Sequence, residues 1–106
     1  MPHPLKWEFP GGKVKKGESR EECLVREIRE ELSLEVELIR AMDPLEHRYP
    51  EQTILLFPYV CGIRSGTIRL AEHMEYRWLS CEALSGLDWL EADTLLVEKV
   101  REEFCD

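Results

Sequence analysis

Glu27, Glu30 and Glu31 are spaced at i, i+3 and i+4. On a helix, residues at those spacings are surface neighbours, so the three carboxylates would share one face. Three adjacent negative charges repel, and a helix shaped by stability alone would alternate signs there. A divalent cation removes the conflict. Mg²⁺ takes oxygen ligands, keeps several waters and is often shared with substrate phosphates. The competing reading is a solvated acidic helix with Glu/Arg pairs, which is the default for any single glutamate. It leaves unexplained the Gly11-Gly12 pair and the placement of Glu18 between that pair and the helix.

The elements that must hold these groups are legible. Ser19 is a good N-cap and Glu22 stands three residues on, the spacing of a capping box. Strong helix formers follow, with no Pro or Gly through Leu32. Leu24, Ile28 and Leu32 form one apolar stripe, widened by Val25, and the glutamates lie beside it. Ahead of the helix, Gly11 and Gly12 permit positive φ and close backbone approach to a ligand. Pro10-Gly11-Gly12 also suits an ordinary turn. Lys13, Lys15 and Lys16 place positive charge on the same loop, available to phosphates or to solvent.

Gly12-x5-Glu18-x7-Arg26-Glu27-Ile28-x-Glu30-Glu31-x-Ser33-Leu34 resembles the Nudix box, G-x5-E-x7-R-E-U-x-E-E-x-G-U, where U is a bulky aliphatic residue. One position departs: Ser33 stands where the family has Gly. That Gly would end the helix in a left-handed conformation, and Ser there costs about 1 kcal/mol. No ligand is lost by the change. The lead-in Trp7-Glu8-Phe9-Pro10-Gly11-Gly12-Lys13-Val14 resembles the MutT branch.

The resemblance implies an α/β fold, a Nudix-type mixed β-sheet flanked by helices in an α/β/α sandwich. It also implies metal-dependent hydrolysis of a nucleoside triphosphate, 8-oxo-dGTP, CTP or a relative, to the monophosphate and pyrophosphate. Mg²⁺, or Mn²⁺, would be held by Glu27, Glu30, Glu31, the Gly11 carbonyl and Glu72, with Glu75 the alternative to Glu72. An exposed loop carboxylate is an equal reading of both. Arg26 would pair with Glu18 and orient loop and helix. The general base stays open among Glu27, Glu30 and Glu72. Phe9, Gly12, Lys13 and Asp93 are the candidate substrate contacts. Asp93 stands at the start of the last helix, where this branch contacts the base, and Phe9, Leu55 and Phe57 are either base-pocket lining or apolar core. His73 fits a ligand or base less well than an ordinary loop histidine; His3 and His47 carry no pattern.

Family members carry a β-hairpin ahead of this point, whereas this chain begins almost at the motif. The expectation is an N-terminally shortened single Nudix domain over residues 1–106. Three explanations stand: a truncated sequence, strands supplied by a second copy, or a reduced sheet with an exposed edge, which invites aggregation. A homodimer covering the edge is the physically easier route to solubility. A binding or regulatory protein without turnover, or an inactive truncated form, are the alternatives to an enzyme.

Composition narrows the partners. A net charge of −8, from 14 basic against 22 acidic residues, argues against nucleic acid polymers and anionic membrane surfaces. It leaves room for a single nucleotide whose charge a metal offsets. Cys23, Cys61, Cys81 and Cys105 form no C-x-x-C pair and read as reduced thiols of a cytoplasmic protein. No signal peptide or membrane span is recognisable.

Residues 1–4 read as an irregular start and 6–9 as a short extended run. A strand is expected over 35–41, resuming over 45–49, with a hairpin turn at Tyr49-Pro50-Glu51-Gln52. The apolar run 53–63 reads as a central, doubly covered strand, with Pro58 marking a bulge or edge. Residues 67–70 read as a short strand or extended loop, and 80–84 as a strand end with a helical turn. A helix is expected over 93–104, capped by Asp93-Thr94, with Leu95, Leu96, Val97 and Val100 on its buried face.

Overall fold

The computed structural model describes residues 6–105; the reading of residues 1–4 and of His3 lies outside them. Its elements in chain order are α1 (Arg20–Leu32), β1 (Glu35–Ala41), β2 (Leu45–Arg48), β3 (Thr53–Leu56), β4 (Tyr59–Ser65), a 3₁₀ turn (Leu84–Gly86) and α2 (Glu91–Phe104). The chain divides into two units, one of residues 10–43 and 57–76, the other of residues 6–9, 44–56 and 77–105.

In the first unit, α1 is held at both ends as its sequence requires. The Ser19 hydroxyl accepts from the Glu22 N–H at 3.0 Å, and the Glu22 carboxylate accepts from the Ser19 N–H at 2.9 Å. At the far end Ser33 sits at φ 61°, ψ 31°, and its N–H donates to the Arg29 carbonyl. Serine therefore takes the left-handed position that glycine would hold without strain. Residues 67–70 do not form a strand. Instead, the Arg69 N–H donates to the Leu32 carbonyl at 2.9 Å and the Ala71 N–H to the Glu31 carbonyl at 3.2 Å. These bonds satisfy carbonyls that a helix end leaves orphaned. Gly66 makes the approach possible at φ +108°, where a Cβ would come within 2.6 Å of the Ser33 carbonyl oxygen.

α1 packs on β1, and β1 pairs antiparallel with β4. Cys23, Ile28, Leu34 and Met42 are the buried apolar groups. The register slips between Leu38 and Arg40, a bulge at Ile39, which alternation places on the face opposite Val36 and Leu38, where it is 60% exposed.

The expected single strand over 53–63 is two. Pro58 has no N–H to give a ladder, so β3 ends at Leu56 and β4 begins at Tyr59. The Pro58 carbonyl accepts from Met42 N–H at 2.9 Å. Neither piece is a central strand among the described residues, because β4 pairs with β1 alone and β3 with β2 alone.

In the second unit, β2 and β3 form the expected hairpin, closed by the Tyr49 N–H donating to Gln52 at 2.7 Å. Trp7 and Trp89 form a parallel bridge, with Trp7 N–H to Asp88 at 2.8 Å and Leu90 N–H to Trp7 at 2.9 Å. This bridge leads into α2, which starts at Glu91 behind Leu90 with no side-chain cap. Asp93 is therefore not the cap that was expected. It lies in the first turn, and its Oδ2 accepts the Phe9 N–H at 3.0 Å. Leu84, Ala92 and Val97 are buried here.

One reading of the cysteines is overturned. Cys81 and Cys105 form a disulfide, with Cα atoms 5.8 Å apart. That spacing falls in the range such a bond requires, and α2 brings Cys105 back to Cys81 across 24 positions. Sequence spacing alone could not show it. Cys23 and Cys61 are free thiols. The thiol argument for a cytoplasmic setting falls with this correction. No helix among the described residues is long and apolar enough to cross a membrane.

Candidate active site

The first unit gathers Gly11, Gly12, Lys13, Glu18, Arg26, Glu27, Glu30, Glu31 and Glu72 from the α1 N-terminal loop, α1 itself and the loop after β4. Arg26 is the hub. Its Nε donates to Glu18 Oε2 at 2.7 Å and its Nη2 to Glu18 Oε1 at 3.1 Å, a bidentate pair. Its Nη1 donates to Glu27 Oε2 at 2.7 Å and to Glu30 Oε1 at 3.1 Å, and Nη2 reaches the Lys13 carbonyl at 3.4 Å.

Glu18 closes the loop from the other side, since its Oε1 also accepts the Lys15 N–H at 2.9 Å. The Arg26 guanidinium, with that backbone donor, holds the Glu18 carboxyl at about 2. The same pairing, first to Glu18 and then to Glu27, raises the Arg26 pKa further above its ordinary value. Arg26 thus binds loop to helix and acts through the carboxylates.

Glu27 and Glu31 are the sheltered members of the ridge, with side chains 19% and 17% exposed against 56% for Glu30. Burial works against the ionisation of Glu27. A hydrogen bond shared with Glu31, together with Arg26, overcomes that and holds its carboxyl below the ordinary range. A hydrogen bond between two carboxyl groups needs one proton, and a divalent cation fills that place with more charge. Gly12 lies directly against the Glu27 carboxylate: a Cβ on it would come 2.5 and 2.7 Å from the two oxygens. Only glycine leaves room for backbone and carboxylate to meet here. Gly11, at φ +150°, precedes it in a conformation side chains rarely adopt. An oxygen-only donor set with space kept beside it suits Mg²⁺ or Mn²⁺.

The ridge is not collapsed into a point. Glu27, Glu30 and Glu31 do not bring three ligand oxygens within 4.8 Å of one another. Arg26 draws Glu30 outward, and Glu72 and Glu75 sit exposed on their loop. The Ala71 N–H bond to Glu31 nevertheless brings the backbone beside Glu72 to the end of α1. His73 Nε2 lies 4.0 Å from Glu31 Oε1.

Cys23 escaped the sequence reading. Its buried thiol donates to the Gly12 carbonyl at 3.7 Å and accepts from Arg26 Nη2 at 3.8 Å, packing under the loop. Its position three residues before Arg26, on the same helix face, was the available signal. Phe57, half-buried, lies under the Arg20 guanidinium at 3.7 Å from its ring centroid, a cation–π contact.

Phe9 and Asp93 belong to the second unit, and the structure brings them together. The Phe9 ring stacks on Trp89 at 4.7 Å between centroids and 14° between planes. Burial, opposed by the Phe9 N–H and aided by the Glu8 charge, pushes the Asp93 carboxyl above its ordinary range. Leu55 is 55% exposed.

A glycine loop braced by Glu18 and Arg26 against a helix carrying Glu27, Glu30 and Glu31 defines a class of protein. Residues 1–99 match the NUDIX domain, and the chain belongs to the Nudix family. It is 35% identical over 89 residues to a protein of Mycobacterium tuberculosis named putative 8-oxo-dGTP diphosphatase 2, covering 83% of this chain and 63% of that one. To the CTP pyrophosphohydrolase of Escherichia coli it is 34% identical over 92 residues, 87% of this chain and 68% of the other. The chain thus spans under two thirds of the length of the mycobacterial relative. Among solved structures, that of the E. coli ORF135 protein superposes with a TM-score of 0.82 at 31% identity, covering 97% of this chain and 79% of that one.

Proposed function

We propose that the protein hydrolyses a nucleoside triphosphate to the monophosphate and pyrophosphate, in a reaction that requires Mg²⁺ or Mn²⁺. The observation that carries the reading is the Gly12 backbone held against the Glu27 carboxylate by Arg26 and Glu18. The names of the two relatives, an 8-oxo-dGTP diphosphatase and a CTP pyrophosphohydrolase, support an oxidised guanine nucleotide or CTP as substrate and a role in keeping the nucleotide pool clean.

Glu27, Glu30, Glu31 and the Gly11 carbonyl are the proposed metal ligands, with Glu72 as a further carboxylate. Bound there, the metal supplies positive charge to the phosphate oxygens and acidifies water. Gly12 and Lys13 present backbone and charge to the phosphates, and Arg26 and Glu18 fix the loop. Water contributes its oxygen to one product as the α–β anhydride breaks, and its proton passes to a ridge carboxylate. We place the protein in the cytoplasm, where its substrates are, as a homodimer that covers open strand edges.

Pyrophosphate release followed by ³¹P NMR over 8-oxo-dGTP, CTP and the common nucleotides tests the reading. Release should need added Mg²⁺, and Glu30→Gln should abolish it with the fold intact. Nucleotide binding without release would instead favour a binding protein.

A further inference from the structure

Cys81, Glu82 and Cys105 place two sulfurs and a carboxylate oxygen within 4.8 Å of one another. No other group of three or more His, Cys, Asp or Glu among the described residues gathers its ligand atoms as closely. The cluster stands in the second unit, on residues to which the proposed hydrolysis gives no role.

Each cysteine backbone is held by bonds that do not depend on the disulfide. The Cys105 N–H closes the last turn of α2 on the Arg101 carbonyl at 3.0 Å. Cys81 sits inside a turn in which the Ala83 N–H donates to the Ser80 carbonyl at 3.1 Å and to its hydroxyl at 3.3 Å. The two Cα atoms stand 5.8 Å apart within one compact unit, and we take reduction to leave the thiols at that spacing. Both cysteines are half-buried and Glu82 is exposed, so small reagents reach them.

The geometry points to a redox-gated soft-metal site, in which reduced Cys81 and Cys105, with the Glu82 carboxylate, take one zinc-class cation. An external dithiol reduces the disulfide, giving two protein thiols while the reductant becomes its own disulfide. Zinc then displaces both thiol protons, and solvent completes the tetrahedron. Zn–S bonds of about 2.3 Å and Zn–O bonds of about 2.1 Å need ligand separations of roughly 3.8 and 3.6 Å, so after reduction the sulfurs must part from bonding contact while the carboxylate oxygen stays within 4.8 Å of them. Rotation about the two Cα–Cβ bonds parts the sulfurs that far. Thiolates prefer zinc-class ions and oxygens prefer magnesium, so the site does not compete with the α1 ridge for Mg²⁺. Such gating rests on the cytoplasmic setting proposed above, where disulfides are usually transient and a metal-binding dithiol is a chemically stable counterpart.

The test titrates Cd²⁺ into oxidised protein and into protein reduced with a phosphine and desalted without oxygen, reading the thiolate-to-metal charge-transfer absorption. Reduced wild type should bind one equivalent and oxidised protein none. Cys81→Ser and Cys105→Ser should each lose the band, Cys61→Ser should keep it, and Glu82→Gln should weaken affinity about tenfold. Circular dichroism of the reduced wild type should show an intact fold. Absence of the band in folded, reduced protein overturns the site, as does its survival in the Cys81→Ser/Cys105→Ser variant or loss of fold on reduction. Unchanged affinity in Glu82→Gln removes the carboxylate from it.

Discussion

Gly12→Ala should damage the reaction and spare the fold. The new Cβ would stand 2.5 Å from Glu27 Oε1, and ordinary contact begins at 3.4 Å. The carboxylate must therefore move by about 0.9 Å or the loop must lift by as much. Glu27 cannot swing freely, because Arg26 Nη1 holds one oxygen at 2.7 Å and Glu31 shares a hydrogen bond with the group. A misplacement of about 1 Å in a catalytic group lowers the rate by about 100-fold, or about 2.7 kcal/mol of barrier. The backbone itself tolerates the change, since Gly12 is not among the residues at positive φ and is exposed. Pyrophosphate release at saturating Mg²⁺ gives kcat, and heat unfolding gives stability. Gly17→Ala is the control: at φ +84° with open space around it, it should lose about 1 kcal/mol of stability and keep its kcat. If Gly12→Ala keeps kcat within threefold of wild type, placement of Glu27 by that loop is not what the reaction needs.

Three further outcomes follow from the same structure. Ser33→Gly should stabilise the protein by up to about 1 kcal/mol, because Ser33 occupies φ 61°; heat unfolding reads it. Opening the Cys81–Cys105 link should cost up to about 3.5 kcal/mol in urea titrations, as expected from chain entropy for a loop of 24 positions. Burial and the Glu8 charge raise the Asp93 carboxyl above its ordinary value, so its contribution to stability is full at acid pH and is lost as pH rises through the folded value. Asp93→Asn keeps an oxygen for the Phe9 N–H and removes the titration. Its stability relative to wild type should therefore improve from acid to neutral pH in unfolding curves, and a flat difference would contradict the assignment.

Short-range chemistry is legible in the sequence. The capping box at Ser19 and Glu22 follows from residue types and spacing alone. The left-handed Ser33 and the Arg26–Glu18 pair follow from the resemblance to the Nudix box, and all lie within one loop and one helix. β1 and the 49–52 turn are equally local. What escaped depends on partners distant in sequence. Asp93 reads as a cap until Phe9, 84 positions away, gives it an N–H. The disulfide becomes visible only when α2 returns Cys105 to Cys81. Pro58 was noticed, but whether a proline bulges a strand or splits it depends on what pairs with either side. The ridge was read as glutamates in mutual conflict, whereas Arg26 reaches Glu27 and Glu30 as well as Glu18. A guanidinium has five donors, and sequence does not say how they are shared.

The most direct test counts Mn²⁺ on the acidic ridge by electron paramagnetic resonance, in wild type and in Glu27→Gln, with a non-hydrolysable triphosphate present. The account predicts bound Mn²⁺ in wild type, tightened by the nucleotide, and affinity at least tenfold weaker in Glu27→Gln. Equal Mn²⁺ binding in the two proteins, or none in either, would contradict it.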